Sequence, residues 1–332
     1  MADSVTGGAG NAGRDGASSS QPAGGGREVQ GVRWGVLLPT FDSLGRGTPV
    51  VSAAKHAERL GFDALWAGDH LTFYRPVLDS LCCLAAAAAV TGRAQLGISV
   101  LQLALRNPAW AAKQLATIDA LAPGRLRLGV GIGGEYPEEF TVAGVPRASR
   151  ARRLDEIMQV LPALLAGEPV DHRGPLAPVR TTGLLPAVSA LPPVTVGGRS
   201  DAALRRVARY GDQWMGIWMS ASTVRGCAAR LAGFAAAQGR PVPSIAMLVF
   251  VNVNDDAAAA RRDAAQFMRA HYRMPLERVE RWTGYGPPEA VAGVLGRYAA
   301  AGVSEFALMP AAADVLGQYE RLAAVRELVS GR

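Results

Sequence analysis

Eight short apolar segments recur along the chain, and residues with helical apolar spacing separate them. The segments are Val36–Leu38, Ala64–Trp66, Leu96–Val100, Leu126–Val130, Val194–Val196, Trp214–Trp218, Ile245–Val251 and Phe306–Met309. Nearly continuous apolar runs of this length are typical of parallel strands buried on both faces. Alternation of strand and helix predicts an α/β fold, and eight repeats favour a (β/α)8 TIM barrel. A doubly wound open sheet is the alternative, because the number of strands alone does not show closure.

Two connections between the predicted strands are longer than the others. Ala166–Pro193 precedes the fifth strand and His271–Pro287 precedes the eighth, so a barrel would carry both as insertions at its C-terminal mouth. Residues 1–28 are rich in Gly, Ala and Ser and show no apolar periodicity, which predicts a disordered tail. We therefore expect one barrel domain over residues 29–332.

Composition excludes several classes of protein. With 49% hydrophobic and 19% charged residues, the 332-residue chain can bury a large core and is not disordered as a whole. The absence of an apolar run of about 18 residues predicts no membrane span. Met1–Gly26 lacks the basic and apolar regions of a signal peptide, so we expect a cytoplasmic protein. Cys82, Cys83 and Cys227 fit neither a disulfide framework nor a zinc spacing.

The chain is basic, with a formal net charge of +7. Its arginines are scattered through the predicted helices without a dense cluster or interleaved aromatic residues, which argues against a nucleic-acid partner. A basic body favours an anionic small molecule instead.

Barrel enzymes place their chemistry at the C-terminal ends of the strands, so reactive side chains are expected at those positions. The second strand runs into Asp69 and His70, and His70 is a candidate acid–base group or partner for a flavin ring. The alternative is a histidine that only caps the loop, with Asp69 bonded to the local turn. Ser99 is polar within the apolar third strand, so it faces a ligand or satisfies a backbone group.

The fourth strand is followed by a glycine-rich segment that partly resembles a dinucleotide fingerprint. No helix opens directly from these glycines, since Pro137 and acidic residues follow, so we reject a Rossmann site. Gly133 and Gly134 would instead let a planar ring lie against the backbone. Glu135 is the nearest carboxylate, whereas Glu138 and Glu139 are expected to be solvated or to stabilise the loop.

A predicted anion site follows the fifth strand. Gly197, Gly198, Arg199 and Ser200 lead directly into a helix, whose free N–H groups and positive dipole end suit a phosphate. Ser220, which precedes the next predicted helix, marks a weaker second site. The sequence has no metal-binding spacing, no nucleophile elbow and no Walker A motif, so hydrolytic and metal chemistry lack support.

Taken in order, these segments resemble the bacterial luciferase-like oxidoreductases, which use FMN or the deazaflavin coenzyme F420. The resemblance covers nearly all of residues 31–330. Its main motifs are Trp34–Pro39, Glu58–Asp63, Asp69-His70, Asn107-Pro108, Gly124-Arg125, Gly131–Gly133, Glu139-Phe140, Gly197–Arg199 and Gly211-Asp212. The family fold is a closed (β/α)8 barrel, so the resemblance favours the barrel over the open sheet.

The resemblance also implies roles for individual residues. The family's phosphate turn falls on Gly197, Gly198 and Arg199 or Ser200. Its ring wall falls on Ser99-Val100, where members commonly hold a non-prolyl cis peptide. In the deazaflavin-dependent sugar-phosphate dehydrogenases an Asp-His pair and a Glu border the ring. These map to Asp69, His70 and, after one inserted residue, Glu135. The lysines that hold the sugar phosphate there are not evident in this chain.

The sequence thus predicts an F420-dependent oxidoreductase that transfers a hydride between the deazaflavin and an organic small molecule. His70 is expected to carry the proton, with Glu135 as a second candidate. An FMNH2-dependent monooxygenase that uses O2 is one alternative, and a flavin-binding barrel without turnover is another. Relatives often pair as dimers, so a homodimer is also an expectation.

Overall fold

The structure, a computed structural model, describes residues 31–41 and 49–330 of the chain. The predicted tail, residues 1–28, lies outside the described residues.

Eight parallel strands form a closed barrel. In chain order they are β1 (Arg33–Leu37), β2 (Ala64–Ala67), β3 (Gln95–Ile98), β4 (Leu126–Val130), β7 (Val194–Gly197), β8 (Gln213–Ile217), β9 (Ser244–Val253) and β11 (Glu305–Pro310). Neighbours pair in that order, β9 pairs with β11, and β11 pairs with β1, which closes the sheet. The predicted (β/α)8 barrel is therefore confirmed, and the doubly wound sheet is wrong.

The two long connections carry three further strands. Within the first, β5 (Val170–His172) and β6 (Val179–Thr181) form an antiparallel hairpin. Within the second, β10 (Gly284–Gly286) adds to β9 as a parallel strand outside the closed ring. The sequence does not predict β10, because Gly-Tyr-Gly is not an apolar run.

Helices surround the strands, and several begin at side-chain caps. They are α1 (Val50–Arg59), α2 (Ser80–Ala88), α3 (Pro108–Leu121), α4 (Glu138–Val142), α5 (Arg150–Leu165), α6 (Asp201–Tyr210), α7 (Ala221–Ala236), α8 (Ala257–Tyr272), α9 (Pro288–Ala299) and α10 (Val315–Ser330). The side chain of Asp79 accepts a hydrogen bond from the Cys82 N–H, and that of Asn107 accepts one from the Ala109 N–H. Within the described ranges, no helix is both long and apolar enough to span a membrane.

A charged network fills part of the barrel interior. The Arg127 guanidinium contacts the Glu305 carboxylate at 3.0 Å and donates to Gln213 Oε1 at 3.0 Å. The Gln213 amide in turn donates to Glu305 at 3.0 Å, and Thr195 donates to Gln213. Because these residues come from β4, β7, β8 and β11, their side chains meet inside the barrel. Mutual hydrogen bonding offsets part of the cost of burying the two charges, because Arg127 Nε and Glu305 Oε1 are buried without a partner among the described residues.

Strand β3 departs from regular pairing at its C-terminal end. Gly97 pairs with Arg127, but the next bridge joins Leu101 to Val130, so β3 contains one extra residue in this interval. The peptide bond between Ser99 and Val100 is cis, as the family resemblance implies. We call residues 98–101 the β3 bulge, and it is typical of strands that turn side chains toward a site.

Gly129 permits the close approach of β3 to β4. A Cβ atom at Gly129 would lie 1.8 Å from the carbonyl oxygen of Ile98, which is backbone and cannot swing aside. We therefore expect Gly129→Ala to lower the free energy of unfolding by about 2 kcal/mol or more, as overpacked sites do. Urea denaturation measures the change.

Gly226→Ala is the matched control. Gly226 lies within α7, and a Cβ atom there meets nothing within 4 Å. Because alanine favours a helix over glycine, this variant should be more stable by about 0.5–1 kcal/mol. Equal effects of the two substitutions would contradict the steric role of Gly129.

Candidate active site

A cavity of about 250 Å³ opens at the C-terminal ends of the barrel strands. We call it the mouth cavity. Nine of the predicted site residues line it: Asp69, His70, Ser99, Val100, Gly133, Gly134, Glu135, Gly197 and Gly198. Apolar side chains of Met215, Leu248 and Met309 also contribute to its wall. The structure therefore brings together residues that are separated by more than a hundred positions in the sequence.

His70 lies at the edge of the mouth cavity with one ring nitrogen committed to the protein. Its Nδ1 atom is 3.2 Å from both carboxylate oxygens of Glu139. The ring stacks on Phe73 with a centroid distance of 4.0 Å, which fixes its plane. Among the described residues no protein group bonds Nε2, so that nitrogen is available to a molecule in the cavity.

The Asp69 carboxylate is used within the protein. It accepts hydrogen bonds from the Ser80 hydroxyl at 2.7 Å and the Gln102 N–H at 2.9 Å, and it pairs with the Arg106 guanidinium at 2.8 Å. Asp69 is 5% exposed. These partners lie 11 to 37 positions away in the sequence, so Asp69 is held by tertiary contacts and not by a local turn, while its contact with a cofactor stays a prediction.

Glu135 also lines the mouth cavity. The residue is exposed to solvent, but it stands in a concave wall where many protein atoms surround its carboxyl group. Desolvation raises the pKa of this carboxyl, the charge of His70 lowers it, and the neighbouring Glu139 carboxylate raises it. Tyr272 lies on the same cavity, and burial together with the charge of Glu135 raises the pKa of its hydroxyl. Two groups in the cavity wall are thus biased toward their protonated forms.

The glycines after β4 are required by the protein itself. A Cβ atom at Gly133, whose φ is +61°, would lie 2.1 Å from Gln102 Oε1, and one at Gly131 would lie 2.5 Å from Val100 Cγ2. Gln102 and the β3 bulge therefore lie against one side of this segment. Gly133 and Gly134 also line the mouth cavity, so their contact with a ligand ring stays a prediction.

The predicted phosphate turn lies directly before α6. Gly198 has a φ of +120°, and a Cβ atom there would lie 2.7 Å from Ala203 Cβ, so the turn requires glycine. The Trp214 indole N–H donates to the Gly198 carbonyl at 2.6 Å and holds the turn in place. Ser200 caps α6 by accepting from the Ala203 N–H, so its hydroxyl is already engaged.

A second cavity of about 490 Å³ adjoins this turn and shares Glu135, Gly198 and Ile217 with the mouth cavity. We call it the arginine cavity, because Arg199 and Arg278 line it. Within the described part of the chain, neither guanidinium pairs with a carboxylate. Ser220 caps α7 and lines neither cavity, so its predicted role in cofactor binding has no geometric support here.

Comparison with known proteins shows to which family the chain belongs. The model of the luciferase-like monooxygenases matches residues 32–287. The chain belongs to the luciferase-like family. The description of the family and the names of relatives include monooxygenases and an F420-dependent dehydrogenase.

One curated relative is named for the cofactor F420. The F420-dependent glucose-6-phosphate dehydrogenase of Beutenbergia cavernae is 36% identical over 164 residues, which are 47% of this chain and 48% of that protein. The matches span about half the length of the first curated relatives.

Solved luciferase-like structures share the fold. An F420-dependent secondary alcohol dehydrogenase with an F420–acetone adduct has a TM-score of 0.78 at 20% identity, covering 90% of this chain and 99% of that one. The oxygenating constituent of 3,6-diketocamphane monooxygenase from Pseudomonas putida, in complex with FMN, has a TM-score of 0.73 at 18% identity. It covers 90% of this chain and 97% of that one.

Sequence reasoning missed three residues of this luciferase-like site: Gln102, Glu139 and Tyr272. Glu139 was expected to be solvated or to stabilise the loop, but its side chain is fully buried against His70. Expecting solvation was wrong, because contacts with residues about 70 positions away bury it. The Glu139-Phe140 motif of the family resemblance was the one feature that could have marked it.

The raised pKa of Glu135 predicts a pH-dependent stability. Between the ordinary value of 4.5 and the higher folded value, the native state binds more protons than the unfolded state. Wild-type stability therefore falls as pH rises through this window. Glu135→Gln removes that loss, so the variant should melt at a higher temperature than wild type at neutral pH and at an equal one near pH 3, about one and a half units below the ordinary value.

The control is Glu138→Gln, which alters an exposed glutamate bonded to the Tyr136 hydroxyl. Thermal melts of the three proteins across pH measure the difference. A stabilisation by Glu135→Gln that is the same at both ends of the pH range would show that desolvation of the carboxylate is not its cause.

Proposed function

We propose that the protein is an F420-dependent oxidoreductase that transfers a hydride between the deazaflavin and an organic small molecule. The observation that carries this proposal is His70, which lines the mouth cavity. Its Nδ1 atom is held by a buried carboxylate, and its Nε2 atom has no partner among the described residues. A redox reaction of an alcohol or a carbonyl compound needs such a proton carrier beside the carbon that gains or loses the hydride.

The residues present fit such a cofactor. Ser99, Val100 and Gly197 offer peptide and small side-chain surface to a flat ring in the mouth cavity. The N-terminus of α6 and the Arg199 guanidinium, which lacks a carboxylate partner among the described residues, suit a phosphate. When bound, coenzyme F420 supplies a two-electron hydride donor or acceptor.

His70 would act as the acid–base group in this reaction. In the oxidation of an alcohol, Nε2 accepts the hydroxyl proton while the hydride leaves the adjacent carbon. In the reverse direction the protonated ring returns that proton to the carbonyl oxygen. Phe73 holds the ring plane throughout, because it stacks on the imidazole.

Glu135 would serve as a second proton carrier. Its carboxyl lies on the same cavity, and desolvation favours its neutral form, which can donate a proton. The apolar wall of Met215, Leu248 and Met309 limits the number of water molecules that reach the reacting atoms.

The comparisons support this proposal without deciding the cofactor. The Beutenbergia relative is named for F420, and a fold neighbour is named as an F420-dependent alcohol dehydrogenase. The alternative is an FMNH2-dependent monooxygenase, which the FMN-bound fold neighbour and the family name favour.

The cofactor is tested by titrating the apoprotein with F420 and FMN in their oxidised and reduced forms. We expect F420 to bind at least about tenfold more tightly than FMN, a difference of about 1.4 kcal/mol. Cofactor fluorescence or calorimetry gives the affinities. Selective binding of reduced FMN, followed by O2 consumption, would replace the proposal with a monooxygenase, and binding of neither cofactor would reject both.

The proton carrier is tested by His70→Ala. With any alcohol or carbonyl compound that supports turnover, kcat should fall by about 10²–10⁴, the usual contribution of a general acid or base. F420 affinity should change little, because the phosphate turn and ring wall remain.

His56→Ala is the control, because His56 lies on α1 and bonds Glu320 and Arg59. Unchanged turnover in His70→Ala would remove the role of His70. Tight F420 binding by the wild type without any turnover would instead indicate a non-catalytic barrel.

A further inference from the structure

Glu139 occupies an unusual position for a glutamate in a loop next to a cavity. Its side chain is fully buried, and no arginine or lysine contacts it among the described residues. Its partners are the Leu71 N–H at 2.7 Å, the Gln102 amide at 3.0 Å and His70 Nδ1 at 3.2 Å. A carboxylate desolvated in this way keeps its negative charge only if its hydrogen bonds offset the free-energy cost of burial.

The orientation of the Gln102 amide follows from its neighbours. Its NH2 group lies 3.1 Å from the Asp69 carbonyl oxygen and 3.0 Å from the Glu139 carboxylate, both of which can only accept hydrogen bonds. The two N–H bonds of Gln102 are therefore satisfied by these two acceptors. Although the same nitrogen is 3.0 Å from His70 Nδ1, it has no third proton to donate there.

The proton between His70 and Glu139 must therefore come from the imidazole. Because the carboxylate cannot donate, Nδ1 carries the hydrogen and donates it to Glu139. In the neutral ring Nε2 is then unprotonated and can accept a proton from a molecule in the mouth cavity.

We propose that Glu139 is the positioning residue of the site: it fixes His70 in the Nδ1-protonated tautomer and so makes Nε2 the proton acceptor. Glu139 acts through His70 and does not line the mouth cavity. The assignment of the tautomer stands on geometry alone, whereas its consequence for turnover rests on the proposed function.

Glu139→Gln tests the tautomer with a side chain of nearly the same shape. The amide oxygen can still accept from the Leu71 N–H, while the amide NH2 faces Nδ1 and requires that nitrogen to accept. We expect the neutral ring of His70 to change from Nδ1-protonated to Nε2-protonated, with the ratio of tautomers changing by about tenfold or more.

The measurement uses long-range ¹H–¹⁵N correlation spectra of protein labelled at histidine, at about pH 8.5, above the ordinary imidazole pKa. Loss of the signal in His70→Ala assigns it. Glu138→Gln is the matched control, because it removes one negative charge from the adjacent residue, which bonds Tyr136 and not His70. The wild-type tautomer is read without any substitution, so the test holds even if Glu139→Gln folds poorly.

Three results are informative. An Nδ1-protonated wild type that reverses in Glu139→Gln and not in Glu138→Gln supports the proposal. An Nε2-protonated wild type, or a folded Glu139→Gln variant with the wild-type tautomer, overturns it, since a carboxylate that only held Leu71 would leave the ring unchanged. Reversal in a protein that binds no F420 supports the positioning role and rejects the proposed function.

Once a substrate is known, the steady-state constants kcat and KM provide a second readout. With Nε2 protonated in the neutral ring, Glu139→Gln should lower kcat by about tenfold to a hundredfold, and KM should change less than twofold. A rise in KM with unchanged kcat would place Glu139 in substrate binding and overturn the proposal.

Discussion

The close approach of β3 to β4 at Gly129 is the constraint on which the site depends. Only a residue without a side chain lets the Ile98 carbonyl come so near, and the extra residue of the β3 bulge lies beside that contact. The bulge delivers the Ser99-Val100 peptide to the mouth cavity. It also places Gln102 where its backbone N–H bonds Asp69 and its amide bonds Glu139. A backbone contact in the barrel wall is thus the origin of the arrangement around His70.

The site combines two buried carboxylates that are stabilised in different ways. Asp69 is balanced by the Arg106 guanidinium, so its charge is compensated within the protein. Glu139 is held by neutral donors and by the imidazole, so its compensation changes with the protonation of His70. When His70 gains a proton, the pair becomes an ion pair in a buried setting, where the attraction is stronger than in water. The two carboxylates therefore differ in whether an arginine or an imidazole faces their charge.

The sequence predicted the barrel well because its eight strands are buried on both faces and carry uninterrupted apolar runs. It did not predict β10 or the β5–β6 hairpin, since these short strands are held by pairing with neighbours and not by their own apolar pattern. His70 and Glu135 could be predicted because they follow strands, and a barrel places its reactive groups at the C-terminal ends of its strands. Glu139 was not predicted as a site residue, because the pair Glu138-Glu139 after a proline has the composition of an exposed loop. Only the tertiary contacts to Leu71 and Gln102 distinguish the buried member from the exposed one.

In the proposed function, the two cavities would divide the recognition of a cofactor between charge and shape. The arginine cavity offers two guanidinium groups, which would select for an anionic tail whatever ring it carries. The wall of the mouth cavity is largely backbone, glycine and apolar side chains, and such a surface contacts a flat tricyclic ring equally well whether a carbon or a nitrogen stands at its reactive position. Charge and shape would then set the affinity for a cofactor, while His70 and Glu135 would carry the protons in the proposed reaction. Binding and chemistry would therefore depend on different side chains.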